Sequence, residues 1–296
     1  MLAIAQLAQA KRVPFTYFSR GLQFRDTNPA ANTTSDALAT EKSALQQGNL
    51  ALAQELGMQH IELSPELYQA LAQTKNFPTV SHILPDKLLD NCSRAVYIPQ
   101  GAAFEQAQQG LALLAQEINA YIASERLTDP AKRFSVVVPC GTGTTALYMA
   151  QHLNRASATL FAVPCVGDAA YLEKQFAELV TKDASLHALQ RNANLQLPRI
   201  MKPRQKSRFG RIWWPLYDIH HELLDATGIA FDLVYGSFAW HTMFDDATLA
   251  LLLGEDELKC HQDEKCNKRE LLYVHTGGVS GNVTMLARYQ VKRKNQ

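Results

Sequence analysis

Apolar residues fall along this chain in two patterns, helical spacing and short continuous runs, and the two alternate. Leu2, Ile4, Ala5, Leu7 and Ala8 recur at helical spacing, and after the Lys11-Arg12 turn the aromatic and β-branched residues 13–19 predict a strand. From 21 to 47 the pattern lapses into a polar stretch around Asn28-Pro29, which predicts a surface loop with a short helix near 38–45. Order resumes with Asn49 as the expected N-cap of a helix stopped by Gly57, then a short strand over 60–63. Ser64-Pro65 has the cap-then-proline signature of a helix start and predicts a helix to about residue 73.

Residues 95–99 (AVYIP) predict a buried strand and 105–124 a long helix. The run FSVVVP over 134–139 is apolar without alternation, as in a strand covered on both sheet faces. The turn CGTGTT, a helix to about 153 and a strand over 159–164 follow, which makes a βαβ unit. A helix over 217–227, a charged loop over 255–270 and a strand LLYVHT ending in Gly277-Gly278 complete the reading. Strands alternating with helices of ten or more residues predict a mostly parallel α/β protein. The expected seam lies near residue 95, giving a small domain over 1–95 and a larger one over 96–296.

Composition narrows the function. With 47% hydrophobic residues the chain can bury a core, and its formal charge of +1 supplies no broad field for a polyanion, so neither nucleic acid nor a membrane surface is an expected partner. No apolar run reaches the roughly 18 residues of a membrane span. Five scattered cysteines, Cys92, Cys140, Cys165, Cys260 and Cys266, fit a reduced compartment, and the expected location is cytoplasmic. An α/β chain that opens at once on a core-facing helix also suggests that a segment precedes Met1.

The sharpest chemical feature is Cys140-Gly141-Thr142-Gly143-Thr144-Thr145, between a buried strand and a helix. Backbone amides released by the glycines, threonine hydroxyls and a helix N-terminus favour a phosphate. The spacing matches neither the Walker loop nor the dinucleotide fingerprint, so a single phosphate monoester fits better than a nucleotide. A plain tight turn with capping threonines has the same composition. A second feature is His275-Thr276-Gly277-Gly278, where a glycine pair lets a flat ligand or a chain segment approach the backbone. Cys140 is a candidate thiol nucleophile at a helix N-terminus, though no partner histidine can be assigned. Cys260, His261 and Cys266 lack a usual zinc spacing, and His220-His221 are adjacent on a helix, so no metal site is expected.

FSVVVPCGTGTTALYMA, YVHTGG, GNLALAQELG and AVYIPQGA, in this order and spacing, resemble the 1-aminocyclopropane-1-carboxylate deaminase and D-cysteine desulfhydrase family, pyridoxal-phosphate enzymes of tryptophan-synthase-β type. The resemblance implies a two-domain fold of pyridoxal-phosphate type II, incomplete at its N-terminus, a homodimer, and deamination or β-elimination of a small amino acid to a 2-oxo acid and ammonia. By position it implies that Gly141, Thr142, Gly143, Thr144 and Thr145 hold the cofactor phosphate and that Thr276 stands by the pyridine nitrogen. Tyr235, in Phe231-Asp232-Leu233-Val234-Tyr235, becomes a candidate for proton transfer or substrate positioning, or else an aromatic packed at a helix-to-loop junction. Trp213 stands where the family has a second active-site tyrosine, and an indole cannot act as an acid or base.

The family's Schiff-base lysine lies in a GNK-containing motif and its substrate-carboxylate turn in a Ser-Asn motif, both ahead of the helix with which this chain starts. Neither motif occurs here, and Lys11, Lys42, Lys75 and Lys87 stand in polar turns, helix faces or loops. No catalytic lysine is assigned, and covalent attachment in the family manner is not expected. Three readings stay open: an enzyme of this type lacking its first segment, a non-catalytic cofactor-binding homologue, and a phospholigand-binding α/β protein unrelated to pyridoxal phosphate.

Overall fold

The computed structural model describes residues 1–20, 48–73, 95–205, 208–254 and 269–294. They form two compact units, Met1–Tyr97 with Gly278–Gln296, and Ile98–Gly277.

In the first unit, α1 (Leu2–Lys11) leads into β1 (Thr16–Arg20), and α2 (Asn49–Glu55) into β2 (Gln59–Leu63) and α3 (Pro65–Gln73). The two strands pair in parallel from Thr16↔Gln59 to Arg20↔Leu63. Successive side chains of a strand point to opposite faces. Tyr17 therefore joins Ala5, Ala53 and Met58, whereas Phe18 joins Leu63 and Leu71. Ser64 caps α3 through its hydroxyl, which accepts from Leu67 N at 3.3 Å.

Three sequence expectations change here. Gly48, not Asn49, is the N-cap of α2. The Asn49 side chain instead accepts a 2.6 Å bond from the Ser280 hydroxyl, and the C-terminal helix Asn282–Lys294 groups with this unit although the sequence seam put it in the larger domain. Residues 95–99 form no strand: Val96 is 77% exposed, the Tyr97 hydroxyl donates to the Leu71 carbonyl, and the Pro99 carbonyl accepts from Ala102 N in the turn that follows. The run has strand composition, but among the described residues no strand pairs with it, and Pro99 has no amide hydrogen to donate.

In the second unit, the turn Gln100–Ala102 and α4 (Ala107–Glu125) precede β3 (Phe134–Cys140), α5 (Thr144–His152) and β4 (Ala158–Pro164). α6 (Ala169–Lys182), α7 (Ala184–Arg191) and β5 (Arg199–Ile200) follow, then α8 (Trp214–Thr227), α9 (Gly236–Met243), α10 (Asp246–Leu253) and β6 (Glu270–Tyr273). The four strands form one parallel sheet in the order β5-β4-β3-β6.

Every residue of β3 is buried, as its unbroken apolar run predicts. Phe134, Val136, Val138 and Cys140 join a core with α4, α5, α6 and α7. Val137, on the opposite face, joins Phe161, Val163, Leu216, Phe238, Met243 and Leu252. Helices thus cover both faces of the sheet, and each fully buried valine contributes roughly 1.5 to 3 kcal/mol.

Candidate functional site

From β3 the chain steps to β4 and then β5 on one side, while β6 adds to the other side of β3. The direction of winding therefore reverses between β3 and β6. In open parallel sheets the carboxyl ends at such a reversal diverge and leave a crevice where ligands bind. Here the two segments leaving the sheet are the turn after Cys140 and the segment after Tyr273, still tied by a 2.9 Å bond from Val274 N to the Val137 carbonyl.

The first segment is the glycine-threonine turn. Gly143 is the N-cap of α5 at φ 76°, and no side chain caps the helix. A Cβ on Gly143 would collide with Phe176 and lie 2.7 Å from Leu172 Cδ1, so glycine is required both by the backbone and by the packing of α6 behind the turn. Thr144 is buried, Thr145 half-buried, and the Thr142 and Thr144 hydroxyls are 3.0 Å apart. The first amides of α5 have no side-chain acceptor, and at the positive end of a helix they suit an anion.

Across the turn stands Tyr235, whose hydroxyl lies 3.1 Å from where a Cβ on Gly141 would be. Tyr235 is the N-cap of α9, so the structure places it at a loop-to-helix start instead of a helix-to-loop junction. Its ring meets Phe209 edge-on at 5.1 Å, and its carbonyl accepts a 3.7 Å bond from the Cys165 thiol. Burial, with Cys165 and Asp232 adding, pushes the phenol up to about 12. It is therefore protonated at neutral pH and suited to donating a hydrogen bond, not to acting as a base.

Trp213 is the N-cap of α8 and packs on α9, 4.7 Å from the His241 ring and 6.5 Å from the Phe238 ring. The strand carrying Thr276 ends earlier than the sequence predicts, at Tyr273. Thr276 lies in the exposed segment beyond it, as far past Tyr273 as Cys140 is past Val137. His275, next to it, stacks on Phe231 at 5.0 Å. Sequence reasoning missed Asp232 as a site residue; the signal available was an Asp three residues ahead of a tyrosine at a helix start.

The remaining candidates separate cleanly. Burial pushes the Cys140 thiol up to about 12, which leaves no thiolate for nucleophilic work at neutral pH. The His220 and His221 rings do meet, at 5.0 Å, but bond to the Phe231 and Tyr217 carbonyls through Nδ1. Among the described residues no three His, Cys, Asp or Glu side chains gather as metal ligands, and no helix is long and apolar enough to cross a membrane. Lys11 ends α1 and is exposed; Lys42, Lys75, Lys87, Cys92, Cys260, His261 and Cys266 lie outside the described residues. One strand away, at the end of β4, a cavity of about 250 Å³ is lined by Pro164, Asp168, Ala169, Lys202, Pro203 and Phe238, among others.

No protein-family model and no curated protein sequence matches the chain. Solved structures do. An ACC deaminase homologue aligns over 98% of this chain and 81% of its own, at 17% identity and a TM-score of 0.58. The chain has that fold. It is the two-domain, mostly parallel α/β architecture of fold type II, as the resemblance implied. O-ureido-L-serine synthase, at 16% identity over 95% of this chain and 70% of its own, has a TM-score of 0.48. A hydrogen sulfide-producing enzyme from Fusobacterium nucleatum, at 11% identity over 95% of this chain and 74% of its own, has a TM-score of 0.49.

Proposed function

We propose that the chain is a pyridoxal-phosphate-binding protein of the deaminase and desulfhydrase type, directed at a small amino acid, which holds its cofactor through the phosphate and not through a lysine. The observation that carries this reading is the uncapped N-terminus of α5, set in a glycine-threonine turn at the winding reversal of the sheet and faced by the Tyr235 hydroxyl. The donor set fits the group: amides of the first helical turn and the Thr142, Thr144 and Thr145 hydroxyls suit a phosphate monoester, and the shared fold agrees with this use.

When bound, pyridoxal phosphate supplies an electron sink for carbanion chemistry at the α-carbon of an amino acid. The chain's own residues do the rest of what this reading requires. Thr276 would offer the ring nitrogen a neutral hydroxyl, which stabilises positive charge there less than a carboxylate would. Tyr235 holds its proton and donates it as a hydrogen bond toward a ligand over the turn. Trp213 would offer an apolar wall, with no capacity to move a proton. Without a lysine in the family's motif, the chain by itself is expected to bind cofactor and amino acid but not to turn the amino acid over.

Equilibrium dialysis against pyridoxal phosphate and against pyridoxal, followed by borohydride and peptide mapping, tests the reading. Saturable binding of pyridoxal phosphate is expected, roughly a hundredfold weaker for pyridoxal because the charge-assisted bonds to the phosphate are lost, and no single lysine should be labelled. Absence of saturable binding would overturn the cofactor assignment. One lysine labelled stoichiometrically would overturn the non-covalent attachment.

A further inference from the structure

Asp232 is buried at 9% exposure in the loop before α9, and among the described residues it forms no ion pair. Its carboxylate is nonetheless fully engaged. Oδ1 accepts from Val234 N at 3.0 Å and Tyr235 N at 2.6 Å, and Oδ2 accepts from Gly236 N at 2.8 Å. Its carbonyl accepts from Ser237 N at 2.8 Å, closing the loop onto the first turn of α9. Four consecutive amides thus converge on one residue.

Ordinary helix capping does not require this arrangement. Asp168, Asp183 and Asp245 cap α6, α7 and α10 from the position directly before the helix. Asp232 stands three residues ahead of the N-cap Tyr235, and Oδ2 also abuts the other strip of the site. A Cβ on Gly277 would lie 3.1 Å from Oδ2, tighter than about nine in ten real Cβ contacts, and Gly277 directly follows Thr276. The absent side chain at Gly277 leaves room for the Asp232 carboxylate between the start of α9 and the Thr276-Gly277 segment.

We propose that Asp232 is the positioning residue of this site: a single carboxylate that sets the Tyr235 backbone on one side and the Thr276-Gly277 segment on the other, so that phenol and segment keep one mutual geometry. This rests on the functional reading above for what the geometry serves, but not for whether the linkage exists. The charge on Asp232 is also among the causes, after burial and Cys165, that keep the Tyr235 phenol protonated. A positioning carboxylate thereby also helps keep its tyrosine a donor.

The test uses the full chain without cofactor first. With ¹³C-labelled tyrosine and Tyr235→Phe to assign the signal, the Tyr235 resonance is followed against pH in wild type, Asp232→Asn and Gly277→Ala. Asp232→Asn retains an acceptor for Tyr235 N and removes the charge, so the Tyr235 midpoint is expected to fall by about one unit. Gly277→Ala removes no hydrogen bond, yet it should shift the Tyr235 resonance by pressing on Oδ2. In the Asp232→Ala background, where that contact is gone, the same glycine substitution should leave the resonance in place. Should Asp232→Ala fail to fold, the Asp232→Asn and Gly277→Ala measurements still decide.

A Tyr235 resonance indifferent to Gly277→Ala, or a midpoint unmoved by Asp232→Asn, would overturn the proposal. With pyridoxal phosphate added, both single variants should bind about tenfold more weakly than wild type. If wild type itself binds none, the functional reading fails, and the cofactor-free resonances still decide whether Asp232 links the two segments.

Discussion

Helix starts in the sheet unit differ in how their first amides are satisfied, and the start that follows β3 combines the lack of a side-chain cap with a place at the winding reversal. α6, α7 and α10 begin with Asp168, Asp183 and Asp245, each of which accepts amide hydrogens of its own helix. α5, which follows β3 at the winding reversal, begins with Gly143 and has no side-chain cap. An aspartate satisfies the first amides of a helix from within the chain and brings a negative charge to its positive end. The glycine start leaves both the amides and the positive end for something else. The same fold therefore closes these three helix ends with aspartates, whereas α4, α5 and α8 start without a side-chain cap, and of these α5 is the one that starts in the glycine-threonine turn at the winding reversal.

The largest effect that would sharpen this contrast is expected at Gly143. Gly143→Ala must tolerate φ 76° and a Cβ against Phe176 and Leu172, and a loss of about 3 to 4 kcal/mol in urea unfolding is expected. A loss under about 1 kcal/mol would mean that the turn repacks freely, and the packing argument for glycine would fail.

Asp183 comes next, since it is both a cap and the acceptor of a 2.6 Å bond from the buried Tyr148 hydroxyl. Asp183→Ala strips that hydroxyl and the Ser185 and Leu186 amides of their acceptor, and a cost of about 3 kcal/mol is expected. Burial raises the Asp183 carboxyl, but hydrogen bonds from Ser185, Tyr148 and the Leu186 amide outweigh it and hold the group below its ordinary value of 3.8. A carboxyl depressed in the folded state stabilises above its unfolded value and loses that contribution as pH falls. Wild-type stability should thus decline below about pH 4 more steeply than that of Asp183→Asn, and parallel curves would refute the coupling. Asp168→Ala, which takes the acceptor from the Tyr171 amide, should cost about 1 kcal/mol.

How much of this was legible in the sequence depended on whether a local signal matched the later environment. FSVVVP announced a strand buried on both faces because nothing polar had to face water, and Ser64-Pro65 announced α3 by cap chemistry alone. AVYIP carried the same apolar signal without a pairing strand among the described residues, which no local pattern records. Asp168 and Asp183 stood at the starts of α6 and α7 as readable caps, although neither helix was among those expected. Of the site, the glycine-threonine turn and Tyr235 were visible as types and spacings. The part played by Asp232 depended on Gly277, 45 positions later, and on a register that only the folded sheet supplies.

The central claim is that the open start of α5 holds a phosphate, and Thr144→Asp tests it most directly. The substitution puts a carboxylate where the proposed anion would sit, so the variant should keep its circular dichroism spectrum and lose about a hundredfold or more in pyridoxal phosphate affinity by equilibrium dialysis. A folded Thr144→Asp protein that binds pyridoxal phosphate as tightly as wild type would contradict the account.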